Sequence, residues 1–244
     1  MIQDASGLLN IYKPSSISSF GVVKQAKRIL DVKKAGHCGT LDPLAEGVLL
    51  IVFGRATKMQ QAFMQLRKTY HVSFLLGTVT DSGDITGKII ARKPARVFTG
   101  HETADVLRHF TGDIQQIPPM YSALKYGGMK LYEIARQGRE VIRAPRTVTI
   151  YRMDVVSCKE EQPGKYILEL IVECSRGTYI RTLGEDIGAK LGCGATVEYL
   201  CRTSVGAFTS ATALRDAFTG KTSRDILIEQ AYSMEKLQEM IAIS

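Results

Sequence analysis

Apolar and polar positions alternate most cleanly over Lys165–Cys174, where Leu168, Leu170 and Val172 share one side and Glu169 and Glu173 the other. A period of two predicts a strand with one buried face, and Thr147–Ser157 just before it predicts an antiparallel neighbour. Gly7–Lys13, stopped by Pro14, and Tyr70–Leu76 read as further strands, while the unbroken apolar run Val48–Phe53 predicts a strand buried on both faces. Thr196–Val205 returns as a strand. Helical spacing places Phe20, Val23, Ala26 and Leu30 on one face after a cap at Ser18 or Ser19, and Leu183, Ile187 and Leu191 on another face closing at Gly192. Shorter helices are expected over Thr57–Leu66, residues 101–110 with Thr99 as cap, and Lys130–Gln137; a last helix is expected over about Ser223–Ile241. Gly36–Pro43 is dense in turn formers, and Thr78–Gly87 reads as a polar loop.

Strands are not regularly followed by crossover helices. The pattern therefore predicts an α+β fold, a mixed and largely antiparallel central sheet flanked by helices and loops. No linker is visible before about residue 210, so one domain is expected over 1–222, followed by a helical tail over 223–244. Pro118–Pro145 is mostly polar, with Gly127-Gly128 at its middle, and reads as a long excursion from the core; long ordered loops usually serve function.

Composition narrows the compartment. The longest apolar run, Val48–Phe53, falls far short of the roughly 20 residues a bilayer crossing needs. The start Met1-Ile2-Gln3-Asp4 lacks the basic and apolar stretches of a secretory signal, so a cytoplasmic protein with no membrane partner is expected. Five cysteines without a C-x-x-C pair read as free thiols, and four histidines without metal-ligand spacing give no reason to expect a metal.

The net charge of +8 is unevenly spread. Residues 1–70 hold ten basic and four acidic groups, a net of +6; residues 121–152 hold seven and two, a net of +5; residues 153–244 hold ten and thirteen, a net of −3. Concentrated positive charge suits a polyanion, although a solvated surface would look the same by charge alone.

Candidate chemistry centres on Gly36-His37-Cys38-Gly39-Thr40-Leu41-Asp42-Pro43. Two glycines and a proline after the aspartate make a tight loop in which Asp42 is kept out of helical conformation. A carboxylate so held can act as nucleophile, general base or metal ligand, whereas an isolated Asp-Pro most often only opens a turn. Arg176-Gly177-Thr178-Tyr179-Ile180-Arg181 follows a strand. If the chain stays extended there, Tyr179 and Arg181 point to one side; if it is helical they diverge. Arg67-Lys68-Thr69-Tyr70 sets a phenol at the start of a strand.

The combination says more than its parts. Lys13-Pro14, G-H-C-G-T-L-D-P-L-A-E-G (Gly36–Gly47), G-R-A-T-K (Gly54–Lys58), K-T-Y (Lys68–Tyr70), Y-S-A-L-K-Y-G-G (Tyr121–Gly128), L-Y-E-I-A-R-Q-G (Leu131–Gly138), S-R-G-T-Y-I-R (Ser175–Arg181) and L-G-C-G-A (Leu191–Ala195) occur in that order. In this the chain, from about Gly7 to Phe208, resembles the TruB-type tRNA pseudouridine synthases. The resemblance implies the pseudouridine synthase fold and isomerisation of uridine 55 in the T-loop of tRNA, by a monomer, with no cofactor and no metal. It makes Asp42 the catalytic aspartate, Tyr70 the tyrosine that stacks on the uracil and is a candidate base, and Arg181 the arginine paired with the aspartate. It places His37, Tyr179 and Leu200 around the flipped uridine. It makes the 118–146 excursion an RNA-binding insertion, with Lys125, Lys130, Arg139 and Arg143 as the expected phosphate contacts. Cys38 stands where the family commonly has threonine, and the sequence after the catalytic region is too short for the PUA-type domain many bacterial members carry. The alternatives are a non-catalytic tRNA-binding folding chaperone, which would need the same basic insertion, and a related isomerase acting on other RNA.

Overall fold

The computed structural model describes residues 5–218 and 222–242. In chain order its elements begin with β1 (Gly7–Lys13), α1 (Ser19–Leu30), β2 (Ala35–His37), β3 (Glu46–Phe53), a 3-10 turn (Gly54–Met59) and α2 (Gln60–Gln65). Then come β4 (Lys68–Leu76), β5 (Thr78–Thr80), β6 (Ile89–Arg92), α3 (Gly100–Arg108) and β7 (Gly112–Gln116). The excursion carries β8 (Lys125–Tyr126), β9 (Met129–Lys130) and α4 (Leu131–Arg136). The chain continues through β10 (Arg146–Gln162), β11 (Lys165–Cys174), α5 (Ile180–Lys190), β12 (Ala195–Val205), β13 (Phe208–Thr209), α6 (Arg224–Glu229) and α7 (Met234–Ala242). This is the mixed, largely antiparallel α+β architecture the pattern predicts.

Two compact units divide the chain, one formed by Met1–Lys68 with Cys201–Ser244, the other by Thr69–Leu200. In the first, β1 lies antiparallel along β3 from Gly47 to Phe53, β2 pairs antiparallel with Ile51–Phe53, and β12 joins the start of β3 in parallel at Cys201↔Glu46 and Arg202↔Gly47. A core of Leu8, Val48, Leu50, Val52, Phe63, Val205, Phe208 and Leu237 fills this unit. In the second, β7, β10 and β11 form an antiparallel meander, and Leu168, Leu170 and Val172 are buried as the alternation requires.

Three local expectations are corrected. Phe20 does not join the buried face of α1 but is 71% exposed. Ser19 takes the inward place, because its hydroxyl bonds both the N–H and the C=O of Leu41, and Phe20 is then rotated outward by about 100° along the helix. The segment Thr78–Gly87 is not all loop: Thr78–Thr80 pairs with Ile89–Arg92 as a short ribbon. The last helix is broken in two, because the backbone of Tyr232 leaves helical pairing to bond both N–H and C=O of Leu8.

Candidate active site

Asp42 lies half-buried on the loop between β2 and β3, and the first unit holds that loop from three directions. Ser19, buried at the start of α1, accepts from the Leu41 N–H at 2.8 Å and donates to the Leu41 C=O at 2.9 Å, which fixes both sides of the residue before Asp42. Lys13 is fully buried; its ammonium donates to the carbonyls of Pro14 and Ile17, both at 2.8 Å, and to that of Pro43 at 3.5 Å. Arg202, 1% exposed, donates Nε–H to Val48 O at 2.8 Å and its terminal nitrogens to Gly39 O at 3.1 Å and Thr40 O at 3.3 Å. A guanidinium offers five donors in a planar fork, which is why one arginine can gather carbonyls from both flanks of a loop.

Burial lowers the Lys13 ammonium to about 8; the carboxylates of Asp42 and Glu46 oppose this and the Arg202 charge adds to it. Two buried cations thus hold the backbone of a loop that carries one carboxylate. Gly47 has φ +101°, and a side chain there would run into the Arg202 backbone, so the register of β3 with β12 demands glycine. Cys38 is fully buried and its thiol is pushed up to about 12, mainly by that burial, so it serves as packing beneath the loop. His37 is half-buried at the end of β2, where its C=O accepts from Gln60 Nε2 at 2.8 Å.

The second unit holds Tyr70, Tyr179, Arg181 and Leu200. Tyr70 is buried on β4, on the same side as Val72, Phe74 and Leu76, and Leu200 is buried on β12. Neither branch of the extended-or-helical alternative holds outright: Tyr179 is the extended N-cap of α5, and Arg181 lies buried in its first turn. Gln116 brackets Tyr179, accepting from its N–H at 2.9 Å and donating to its C=O at 3.2 Å. Arg181 donates to Ser82 O at 2.8 Å and Tyr121 O at 2.7 Å, with Nε 3.9 Å from Asp84 Oδ2. Asp84, itself buried, is held by Thr86 N–H at 3.0 Å and the Thr86 hydroxyl at 2.5 Å. One turn along α5, burial pushes the Glu185 carboxyl up, with the Arg181 charge opposing.

The four basic residues of the insertion differ in availability. Lys125 and Arg139 are exposed. Lys125 pairs with Lys130 across a two-residue hairpin turn at Gly127-Gly128, both of which have positive φ as that turn requires. Lys130 leans over the Tyr132 ring, 5.5 Å from its centroid. Arg143 is largely engaged: it donates to Pro118 O at 3.1 Å, Val141 O at 3.2 Å and Glu140 Oε1 at 2.6 Å, and so braces the insertion from inside.

Nothing in the sequence pointed to Arg202, Gln116 or Asp84; Ser19 entered only as a candidate helix cap and Lys13 only as part of a motif. Ser19, Gln116 and Arg202 bond to backbone groups 22 to 163 positions away, which leave no mark on spacing. A buried cation inside an apolar strand, as Lys13 is in β1, was the one available signal.

Two family models match consecutive parts of the chain: the N-terminal domain of TruB family pseudouridylate synthases over residues 27–180 and the C-terminal domain of tRNA pseudouridylate synthase B over 181–243. A protein of Endomicrobium trichonymphae named tRNA pseudouridine synthase B is 48% identical over 92% of this chain and 94% of its own length. One of the same name from Bordetella avium is 51% identical over 84% of this chain and 83% of its own. Among solved structures, a chain of a Cbf5-Nop10-Gar1 complex superposes with a TM-score of 0.64 at 31% identity, over 85% of this chain; the match spans about half (51%) of that longer chain. With an aspartate loop clamped by buried donors and both halves of the family's description matched in order, the chain belongs to the TruB family of pseudouridylate synthases.

Proposed function

We propose that the protein isomerises uridine to pseudouridine at position 55 in the T-loop of tRNA, as a cytoplasmic monomer without cofactor or metal. The observation that carries the reading is the loop Gly39–Pro43, which presents Asp42 while Lys13, Ser19 and Arg202 hold its backbone. The names of the relatives, tRNA pseudouridine synthase B, support the substrate class.

The reaction breaks the C1′–N1 bond of uridine, turns the base, and joins C1′ to C5; a proton leaves C5 and N1 gains one. Nothing is oxidised or reduced, so the chemistry calls for a nucleophile or base and a shaped pocket. The target is first unstacked from its loop at a cost of a few kcal/mol, offset by contacts to phosphates. Asp42 is the group that acts at the ribose or base, Arg181 the cationic partner of the carboxylate, and Tyr70 the phenol at the uracil face. His37, Tyr179 and Leu200 line the flipped nucleotide, and the insertion around 118–146 grips the T-arm.

The test is Asp42→Asn, which keeps the shape and removes the charge. Pseudouridine mapping in a tRNA transcript should show no product, while tRNA binding stays within a few-fold of the parent. Product formed at the parent rate would remove Asp42 from the chemistry, whereas no product from the parent protein itself, with tRNA still bound, would leave the chaperone reading in its place.

A further inference from the structure

Helix α1 turns an aromatic ring and three cations to solvent. Phe20 is 71% exposed, and Lys24, Lys27 and Arg28 are exposed with no ion pair among the described residues. At about 100° per residue these four positions fall within roughly one quadrant of the helix, beside the arc that buries Ser19, Val22, Val23, Ala26 and Leu30. Cations in a last helical turn complement the helix dipole, which accounts for Lys27 and Arg28. It accounts for neither Lys24 nor an exposed phenyl ring.

A flat apolar ring in a field of cations suits a single-stranded nucleic acid, whose bases stack on aromatics while its phosphates meet lysine and arginine. The position agrees. Ser19, the residue before Phe20, is bonded to both backbone groups of Leu41, the residue before Asp42. The start of α1, with Phe20 next to Ser19, is therefore fastened to the aspartate loop. The +6 charge of residues 1–70, which the insertion does not explain, is partly this face.

We infer that the exposed face of α1 is a second RNA contact, with Phe20 stacking on an unpaired base of the substrate and Lys24, Lys27 and Arg28 holding the phosphates beside it. This rests on the reading of the substrate as tRNA.

The chain has no tryptophan, so Phe20→Trp carries a single indole reporter at the proposed contact. Titration with an unmodified tRNA transcript should quench its emission to a plateau. Phe20→Ala should weaken binding of the same transcript about ten-fold, within the range of one base–aromatic stack. Lys24→Gln, Lys27→Gln and Arg28→Gln together should reduce the slope of log affinity against log salt by about 2, at roughly 0.7 for each phosphate contact. All four side chains are exposed, so the variants should fold as the parent does; circular dichroism checks this. Pseudouridine mapping with the parent protein separates the two readings. If the parent makes no pseudouridine in the transcript, the functional reading fails whatever α1 does. If it does, but the indole emission stays flat at saturating tRNA, or Phe20→Ala and the triple variant bind as the parent does, the inference about α1 is overturned.

Discussion

Arg202→Met is the most searching single change in the first unit. Methionine fills much of the arginine stem but has no donor, so the carbonyls of Gly39, Thr40 and Val48 lose their hydrogen bonds inside a site that is 1% exposed. Each carbonyl left dry costs about 1–3 kcal/mol, and the bonds at 3.1 and 3.3 Å belong at the low end of that range. Some relaxation and water entry reduce the sum, giving about 3–5 kcal/mol, the scale seen when one partner of a buried charged network is removed. At about 2–4 °C per kcal/mol for a chain of this size, melting should fall by roughly 10 °C. Calorimetry measures that fall, and amide exchange at Gly39–Asp42 should accelerate beyond that of distant core amides. Single-turnover isomerisation at a temperature where the variant is folded should also slow, because the carbonyls that orient the loop are freed. Arg202→Lys, which keeps the charge but not the fork, should fall between. Unchanged melting together with parental amide exchange over Gly39–Asp42 would refute the view that this arginine holds the loop.

Three further outcomes follow from the same geometry. Lys13 has its ammonium lowered by burial to about 8, below the ordinary 10.5, so between those pH values the unfolded chain carries a proton that the folded one has lost. Its burial penalty is therefore fully present below pH 8 and fades as pH rises to about 10.5; the stability of the parent relative to Lys13→Met should rise over that window, and a constant difference would contradict the assignment. Gly47→Ala forces a side chain into the Arg202 backbone at a φ that disfavours it, and should lower stability by about 2–4 kcal/mol in urea denaturation. In the insertion, Lys125→Gln with Arg139→Gln should flatten the salt dependence of tRNA binding by about 1.4, whereas Arg143→Gln should loosen the insertion to proteolysis with a smaller change in slope.

The strands and the aspartate loop were readable because their determinants are local: alternation at Leu168–Val172, the stop at Pro14, the run Val48–Phe53 and the Gly-Thr-Leu-Asp-Pro motif. What escaped was decided over long stretches of chain. Phe20 follows the helical repeat yet lies outside, because a hydrogen bond between Ser19 and Leu41 sets the rotation of α1. The last helix is periodic throughout yet breaks, because Leu8 at the other end of the chain claims the Tyr232 backbone. The clamp on the loop was equally hidden: a carbonyl accepts from any donor, so nothing in Gly39 or Thr40 announces Arg202.

The bond from Arg202 to Gly39 joins residues 163 positions apart, and the first unit is assembled from segments on either side of the second. On the ribosome the chain emerges from its beginning, and domains fold as they appear. The aspartate loop is made well before it can be completed, since its Arg202 clamp arrives only after the whole of Thr69–Leu200. A nascent chain thus carries the Asp42 loop without its Arg202 bonds until residue 202 has been added. Completion of the loop is in this way timed by translation.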